Sequence, residues 1–260
     1  MSVLNISYPT KHILWAEIDR PETGNAINFK VMDELENVCD TIEENDDIRV
    51  FVLSATGNKN FVSGGDLKEF SVLQTEAEAA KMSKKMGRIL ERIETADCWT
   101  LACVNGDAYG GGCEIILAFD FRIAAKHARF GFTQGKFYLS PGWGGLTRLV
   151  ERVGRSTALL WLGSQELVDT ESAIVSGLID NVQTSDSLKT QVLHISKKLT
   201  TNDRRMIKTL KKGASEAERL SHKDSIKMER ISFARMWADP EHHKRVETFL
   251  KGNKDDTFIP

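Results

Sequence analysis

Gly110-Gly111-Gly112-Cys113-Glu114 joins an apolar run at 100–104 to a second apolar run at 115–119. We interpret this stretch as the turn from a buried strand into a helix, because glycines at that point leave the first amide groups of the helix unpaired and uncovered. Those donors, together with the helix N-terminus, would stabilise a carbonyl oxygen that gains negative charge, with Glu114 nearby as an acid or base. A flexible linker is the alternative, and the apolar runs on both sides disfavour it.

The composition is that of an ordinary globular chain and excludes several classes of function. The 260 residues suffice for one or two compact units, and 41% hydrophobic with 28% charged residues is far from a disordered composition. Lys and Arg number 35 against 37 Asp and Glu, so the net charge of −2 provides no field that gathers nucleic acid or anionic lipid. We therefore expect a small-molecule partner, no nucleic acid and no membrane.

The cysteines and the N-terminal segment indicate a reducing compartment. Cys39, Cys98, Cys103 and Cys113 are irregularly spaced with no CxxC pair, which predicts neither a zinc site nor a disulfide framework. Residues 1–11 lack a signal-peptide pattern, and nowhere do 18 apolar residues run together. We predict a cytoplasmic protein without a metal or a redox cofactor. A nucleophilic Cys113 is disfavoured because no histidine lies near it in the sequence.

Hydrophobic periodicity predicts an α/β fold. Strand and helix patterns alternate three times in the first half, which implies parallel strands with crossover helices. From residue 157 onward the pattern is helical with few strand signals. The predicted strands cover 12–18, 48–54, 100–104 and 121–125. The predicted helices cover 29–45, 71–96, 111 to about 119, 158–162, 172–175, 191–213, 216–237 and 242–251.

A second glycine pair repeats the arrangement of the first. In Phe61-Val62-Ser63-Gly64-Gly65-Asp66-Leu67 two adjacent glycines again interrupt an apolar approach to a helix. This pair supplies another amide N–H that has no helical partner.

Four motifs follow one another along the chain: Asp19-Arg20-Pro21-Glu22 with Asn25-Ala26, the segment 61–69, Asn105-Gly106 with Gly110 to Glu114, and Pro141-Gly142-Trp143-Gly144-Gly145. In this order and spacing they resemble the crotonase superfamily, the enoyl-CoA hydratase/isomerase family, over nearly the whole chain. The resemblance implies a spiral of ββα turns over residues 1–198, which carries the coenzyme A site and the oxyanion hole. It implies a helical C-terminal cap over 199–260 that builds a homotrimer or hexamer. The expected substrate is an acyl-CoA thioester, and no further cofactor is implied.

The resemblance also implies roles for individual residues. By position, the oxyanion-hole amides belong to Gly65 and Gly111, and Glu114 matches the first of two catalytic glutamates. Tyr109, just before the glycines, either reaches the acyl group with its hydroxyl or packs over the turn. The residues that match the coenzyme A-binding segments are Ala26, Ser63, Gly65, Asp66, Leu67 and Lys68.

The chain departs from the family pattern at the second glutamate, whose place is held by Gln134. Glutamine donates and accepts hydrogen bonds but transfers no proton at neutral pH, which puts two-glutamate hydration in doubt. The segment 134–143 is also similar to the ethylmalonyl-CoA and methylmalonyl-CoA decarboxylases, whose reaction forms the same enolate and needs only one proton. Hydration or isomerisation of an enoyl-CoA is the leading hypothesis. Decarboxylation of a malonyl-type acyl-CoA is the alternative, and a non-catalytic acyl-CoA-binding protein is the third.

Overall fold

The computed structural model describes residues 2–251, which form two compact units that divide after Arg204. The strands in the described residues are β1 (Leu4–Thr10), β2 (Ile13–Ile18), β3 (Val50–Ala55), β4 (Asn60–Val62), β5 (Trp99–Val104), β6 (Asp107–Tyr109), β7 (Phe121–Ala125), β8 (Phe130–Gly131), β9 (Leu167–Val168) and β10 (Asn181–Gln183). The helices there are α1 (Phe29–Glu44), α2 (Leu67–Phe70), α3 (Glu76–Thr95), α4 (Gly111–Ile116), α5 (Gly145–Val153), α6 (Arg155–Ser164), α7 (Thr170–Val175), α8 (Ser185–Leu199), α9 (Arg204–Arg219), α10 (His222–Trp237) and α11 (Pro240–Leu250).

Side-chain caps set the starts of the early helices. Asn28 accepts a hydrogen bond from the Val31 amide at 2.9 Å, so α1 begins where the sequence predicts. The predicted helix over 71–96 is wrong at its start, because Thr75 is the N-cap of α3. Thr75 forms a capping box with Glu78, and the helix begins at Glu76. The predicted helix after the glycine triplet is also shorter than expected, because α4 ends at Ile116.

A six-stranded sheet forms the centre of the first unit, with strand order β1-β2-β3-β5-β7-β10. Strands β2, β3, β5, β7 and β10 are parallel, as the alternating pattern predicts, and β1 pairs with β2 in the antiparallel direction. Every residue of β3 is buried, and its side chains alternate between two hydrophobic clusters. Phe51 and Leu53 enter the larger cluster, whereas Val50 and Val52 join the cluster beneath α8.

A second, four-stranded sheet has the order β4-β6-β8-β9. Its strands β4, β6 and β8 run parallel to one another. The sequence does not predict these strands, because segments of two or three residues are too short to show a period. Since parallel strands end at the same edge of a sheet, the segments that follow β4, β6 and β8 lie side by side.

The second unit, from Arg205 onward, is helical in its described part. Arg205 Nη1 pairs with Asp239 Oδ2 at 2.7 Å and links the beginning of this unit to the residue that caps α11. The predicted helix over 191–213 is wrong as one element, because the chain breaks between Leu199 and Arg204. The predicted helix over 216–237 is broken as well, where Ser221 accepts a hydrogen bond from Asp224 N and caps α10.

Candidate active site

Three parallel strands bring the predicted catalytic residues to one edge of the small sheet. Strand β4 leads to Gly65, β6 leads to Gly111 and then Glu114 in the first turn of α4, and β8 leads to Gln134. These residues are separated by up to about 70 positions in the chain, yet the parallel pairing places them together. The carboxyl ends of parallel strands are the usual location of ligand sites in α/β proteins.

The two glycine clusters lie in contact. A β-carbon placed on Gly64 would lie 3.8 Å from the amide nitrogen of Gly111 and 3.3 Å from the carbonyl oxygen of Tyr109. Within residues 2–251, neither the Gly65 amide nor the Gly111 amide has a hydrogen-bond acceptor. Two neighbouring amides without acceptors are the donors that an oxyanion requires.

The indole of Trp143 covers the α-carbon of Gly111. A β-carbon placed on Gly111 would lie 2.2 Å from Trp143 Cζ3, so only glycine fits there without moving the ring. The same indole reaches Gly65, where a β-carbon would lie 3.8 Å from Cη2 and 2.9 Å from Phe70 Cε2. The side chain is 6% exposed, and its Nε1 donates to Met82 Sδ at 3.4 Å. The sequence shows Trp143 as a member of the 141–145 motif, but it does not indicate this contact with the two glycines.

Glu114 is buried, and its carboxylate accepts four N–H groups. Oε2 accepts from the amides of Trp143 at 2.7 Å and Gly145 at 2.9 Å. Oε1 accepts from Gln134 Nε2 at 3.1 Å and from the Gly142 amide at 3.3 Å. Four donors match the four lone-pair positions that the two oxygens of a carboxylate offer. Oε1, which has the two longer bonds, is the oxygen more readily released to another partner.

The turn that holds Glu114 depends on one further glycine. Gly145 begins α5, and a β-carbon on it would lie 2.3 Å from Glu114 Cγ. This close approach lets the carboxylate reach the first amide of the helix, where the helix dipole stabilises a negative charge. The motif Pro141-Gly142-Trp143-Gly144-Gly145 was visible in the sequence, but its role as the binding site of the Glu114 carboxylate was not.

The orientation of the Gln134 amide follows from its neighbour. Because a carboxylate only accepts hydrogen bonds, Gln134 must direct Nε2 toward Glu114. Gln134 Oε1 is then buried and without a hydrogen-bond donor in the part of the chain that the structure describes. A buried acceptor without a donor is costly, so this oxygen is suited to a molecule that brings an O–H or N–H group into the site.

The residues predicted to bind coenzyme A lie around the first turn of α2. Asp66 caps that helix and pairs with Arg20 at 2.9 Å, and Arg20 also donates to the carbonyl oxygen of Ala26. Although partial burial acts to raise the pKa of Asp66, the hydrogen bond from Arg20 holds it below its ordinary value. Ser63 Oγ donates to the Thr23 carbonyl at 3.2 Å.

The two remaining members of this predicted set, Leu67 and Lys68, are exposed at the start of α2. No ligand tests the assignment of these residues and of Gly65 to coenzyme A binding, and the assignment stays a prediction.

The Tyr109 hydroxyl has hydrogen-bond partners within the protein. The hydroxyl donates to Asp107 Oδ2, which also accepts from Arg129 Nη2 at 2.7 Å. Burial and the Asp107 carboxylate raise the pKa of Tyr109 to about 12. Burial also acts to raise the pKa of Asp107, but Arg129 and Tyr109 lower it below its ordinary value by their hydrogen bonds. The Tyr109 hydroxyl therefore has a hydrogen-bond partner within the protein. Contact between this hydroxyl and the acyl group of a substrate stays a prediction.

The cysteine beside the site is a packing residue in this structure. Cys113 is buried, its thiol donates to the Ala108 carbonyl at 3.0 Å, and burial raises its pKa far above the ordinary value. All four cysteines, which lie within residues 2–251, are buried, and none of them forms a disulfide. Among the described residues no group of three His, Cys, Asp or Glu side chains is arranged to hold a metal ion. None of the helices in 2–251 has the length and the apolar composition needed to cross a membrane.

Comparisons with known proteins indicate the family of the chain. The family model for enoyl-CoA hydratase/isomerase matches residues 10–256. The chain is 27% identical to the short-chain-enoyl-CoA hydratase of Clostridium acetobutylicum over 241 residues, which are 93% of this chain and 92% of that protein. It is 28% identical to the 2,3-dehydroadipyl-CoA hydratase of Escherichia coli, with 98% of each chain covered.

Solved structures match the fold as well. The crystal structure of an enoyl-CoA hydratase from Bacillus anthracis has a TM-score of 0.91 and 25% identity, and the match covers 96% of this chain and 97% of that one. The Pseudomonas aeruginosa protein DspI has a TM-score of 0.90 and 26% identity, with 97% and 95% of the two chains covered. The mixed α/β architecture with C-terminal helices is therefore that of the crotonase superfamily. The chain belongs to the enoyl-CoA hydratase/isomerase family.

Proposed function

We propose that this protein is an enoyl-CoA hydratase in which one carboxylate and one amide replace a pair of glutamates. The observation that carries the proposal is the convergence of two amides without acceptors, at Gly65 and Gly111, beside the Glu114–Gln134 pair. The relatives named as hydratases of short-chain enoyl-CoA and of 2,3-dehydroadipyl-CoA support the reaction type. The substrate is then an enoyl-CoA thioester whose carbonyl oxygen lies between the two amides.

The two amides stabilise the charge that forms during the reaction. When water adds to the β-carbon, the electron pair of the double bond moves to the thioester oxygen and produces an enolate. Gly65 and Gly111 donate hydrogen bonds to this oxygen, and the N-terminal end of α4 adds a favourable dipole. Loss of one such donor typically costs about 3 kcal/mol of activation free energy, or roughly a hundredfold in rate.

Glu114 carries the proton. Its Oε1, held by the longer bonds from Gln134 and Gly142, accepts a proton from the attacking water as the oxygen bonds to the β-carbon. The enolate then collapses and takes that proton onto the α-carbon, so one carboxylate completes both transfers and returns to its ionised state. Oε2 stays bound to the amides of Trp143 and Gly145, which fix the side chain during the cycle.

Gln134 orients the water through the oxygen that has no donor. The second O–H of the water donates to Gln134 Oε1 while the first faces Glu114. This arrangement also supports hydration over decarboxylation. A malonyl-type substrate would place a second carboxylate beside Glu114, where Gln134 offers only an acceptor oxygen and no positive charge, and like charges in such a site repel.

The test is an assay in which the wild-type protein is incubated with crotonyl-CoA or with ethylmalonyl-CoA and the products are identified by mass spectrometry. We expect crotonyl-CoA to gain one water and ethylmalonyl-CoA to stay unchanged. Lys136→Ala is assayed beside the wild type as a surface control and is expected to behave like it, because Lys136 lies in the same turn as Gln134 but is exposed.

Each other outcome selects a rival function. Loss of CO₂ without hydration would assign the decarboxylase, and movement of the double bond in longer enoyl-CoA substrates without hydration would assign the isomerase. Binding of acyl-CoA without any turnover would assign the non-catalytic protein.

We also infer that the chain assembles as a homotrimer or as a hexamer of two trimers. The C-terminal helices support this, because Phe233, Trp237 and Leu250 are 63%, 55% and 77% exposed. Large apolar side chains so exposed on one helical unit indicate a surface that another subunit covers. Native mass spectrometry gives the subunit number, and a monomer at micromolar concentration would contradict the inference.

A further inference from the structure

The six-membered ring of Trp143 lies against the backbone of both glycine clusters. Its Cζ3 and Cη2 atoms approach the α-carbon of Gly111, and Cη2 also lies 3.8 Å from the position that a β-carbon on Gly65 would take. Phe70 contacts Gly65 from another direction, with Cε2 at 2.9 Å from the same position. The space beside the two amides is therefore bounded by aromatic side chains.

Trp143 is held by hydrogen bonds at its backbone and at its indole nitrogen. Its main-chain amide donates to Glu114 Oε2 at 2.7 Å, and its Nε1 donates to Met82 Sδ at 3.4 Å. The side chain is 6% exposed and belongs to the larger hydrophobic cluster. Because the side chain is fixed at its backbone and at its ring nitrogen, rotating it out of the site would disrupt hydrogen bonds and core packing. It therefore forms a rigid wall of the space beside the two amides.

The proposed chemistry decides which part of a substrate meets this wall. When the thioester oxygen lies between Gly65 and Gly111, the α- and β-carbons of the acyl group must lie within reach of Glu114. The carboxylate of Glu114 accepts a hydrogen bond from the backbone amide of Trp143, so the indole is close to these carbons as well. The carbons beyond the β-carbon then run along the indole. We propose that Trp143 closes the acyl pocket and restricts the enzyme to short acyl chains, an inference that rests on the proposed function.

Binding of saturated acyl-CoA thioesters tests this proposal without turnover. Calorimetric dissociation constants of butyryl-CoA and hexanoyl-CoA are measured for the wild type and for Trp143→Ala. Each methylene that enters an apolar pocket improves binding about fourfold. We therefore expect Trp143→Ala to favour hexanoyl-CoA over butyryl-CoA by on the order of tenfold more than the wild type does. An unchanged preference would overturn the proposal.

Trp15→Ala is the matched control. Trp15 is 7% exposed, its Nε1 donates to Ser54 Oγ at 2.7 Å, and it belongs to the smaller hydrophobic cluster. It thus shares the burial and the hydrogen-bonded indole of Trp143 but lies outside the site. An equal change of preference in Trp15→Ala would assign the effect to general loosening and would also overturn the proposal.

Two further measurements keep the inference testable. If Trp143→Ala does not fold, Trp143→Leu takes its place, because it shortens the wall and retains an apolar side chain. Failure of the wild type to hydrate crotonyl-CoA would refute the proposed reaction, whereas the chain-length preference is read from binding alone. The two failures are therefore distinguishable.

Discussion

Replacement of Glu114 by glutamine separates its hydrogen-bonding role from its role as a proton carrier. In Glu114→Gln the carbonyl oxygen can keep the short bonds from the amides of Trp143 and Gly145. The new NH₂ group then faces Gln134, whose own amide can rotate and present its oxygen as an acceptor. Only the Gly142 amide, which makes the longest bond at 3.3 Å, loses its acceptor.

The expected free energies follow from this count of bonds. In Glu114→Gln the two short bonds change from charge-assisted to neutral, which costs about 1 kcal/mol each, and the Gly142 amide adds about 1 kcal/mol. We therefore expect a loss of about 3 kcal/mol in the free energy of unfolding. In Glu114→Ala the amides of both Trp143 and Gly145 lose their acceptor at about 2 kcal/mol each, in addition to Gly142 and the cavity, which gives at least about 5 kcal/mol.

Turnover and binding complete the comparison. Because glutamine carries no proton at neutral pH, we expect Glu114→Gln to lose a factor of about 10² to 10⁴ in hydration rate while it still binds butyryl-CoA. Urea denaturation, calorimetry and the crotonyl-CoA assay measure the three quantities on the same preparations. Equal destabilisation of the two variants would refute the four-donor arrangement with its rotating Gln134 amide. Hydration at the wild-type rate in Glu114→Gln would refute the proton role of Glu114.

Three other substitutions test the electrostatics of the first unit. Arg122 is fully buried, and its guanidinium pairs with Asp180 at 2.8 Å. Because Asp180→Asn leaves that buried charge without its partner, we expect the free energy of unfolding to fall by about 3 kcal/mol in urea denaturation. A decrease of less than about 0.5 kcal/mol would contradict this prediction. In an ultraviolet titration, one of the three tyrosines is expected to ionise at high pH, near the pKa of about 12 of Tyr109, and Tyr109→Phe removes that step. An unchanged titration in Tyr109→Phe would show that the high-pH step belongs to another tyrosine. Gln134→Glu places a second carboxylate beside Glu114, so one pKa of the pair rises in the folded state. The free energy of unfolding of this variant is therefore expected to fall as the pH increases through that raised pKa. Urea denaturation at several pH values measures this dependence, and the same pH dependence in the variant and the wild type would contradict the prediction.

Long, regular elements could be predicted from the sequence, and short or exposed ones could not. The period of apolar residues located α1, and the apolar run at 48–54 located β3 as a buried strand. Strand β1 escaped prediction because it lies at the edge of the sheet and exposes most of its side chains, which removes the alternation. Capping by Thr75 and Ser221 depends on short polar side chains whose geometry decides the start of a helix, so the predicted boundaries there were wrong.

The sequence by itself determined the family and the positions of the glycines, because four motifs in fixed order carry that information. It also indicated the exchange of a glutamate for Gln134. Only the tertiary structure decided that Glu114 is held by four donors and that the indole of Trp143 covers Gly111. These contacts join segments about 20 to 30 residues apart through distances of a few ångströms. No local period or propensity encodes such distances, since they arise from the packing of β4, β6 and β8 with the turn before α5.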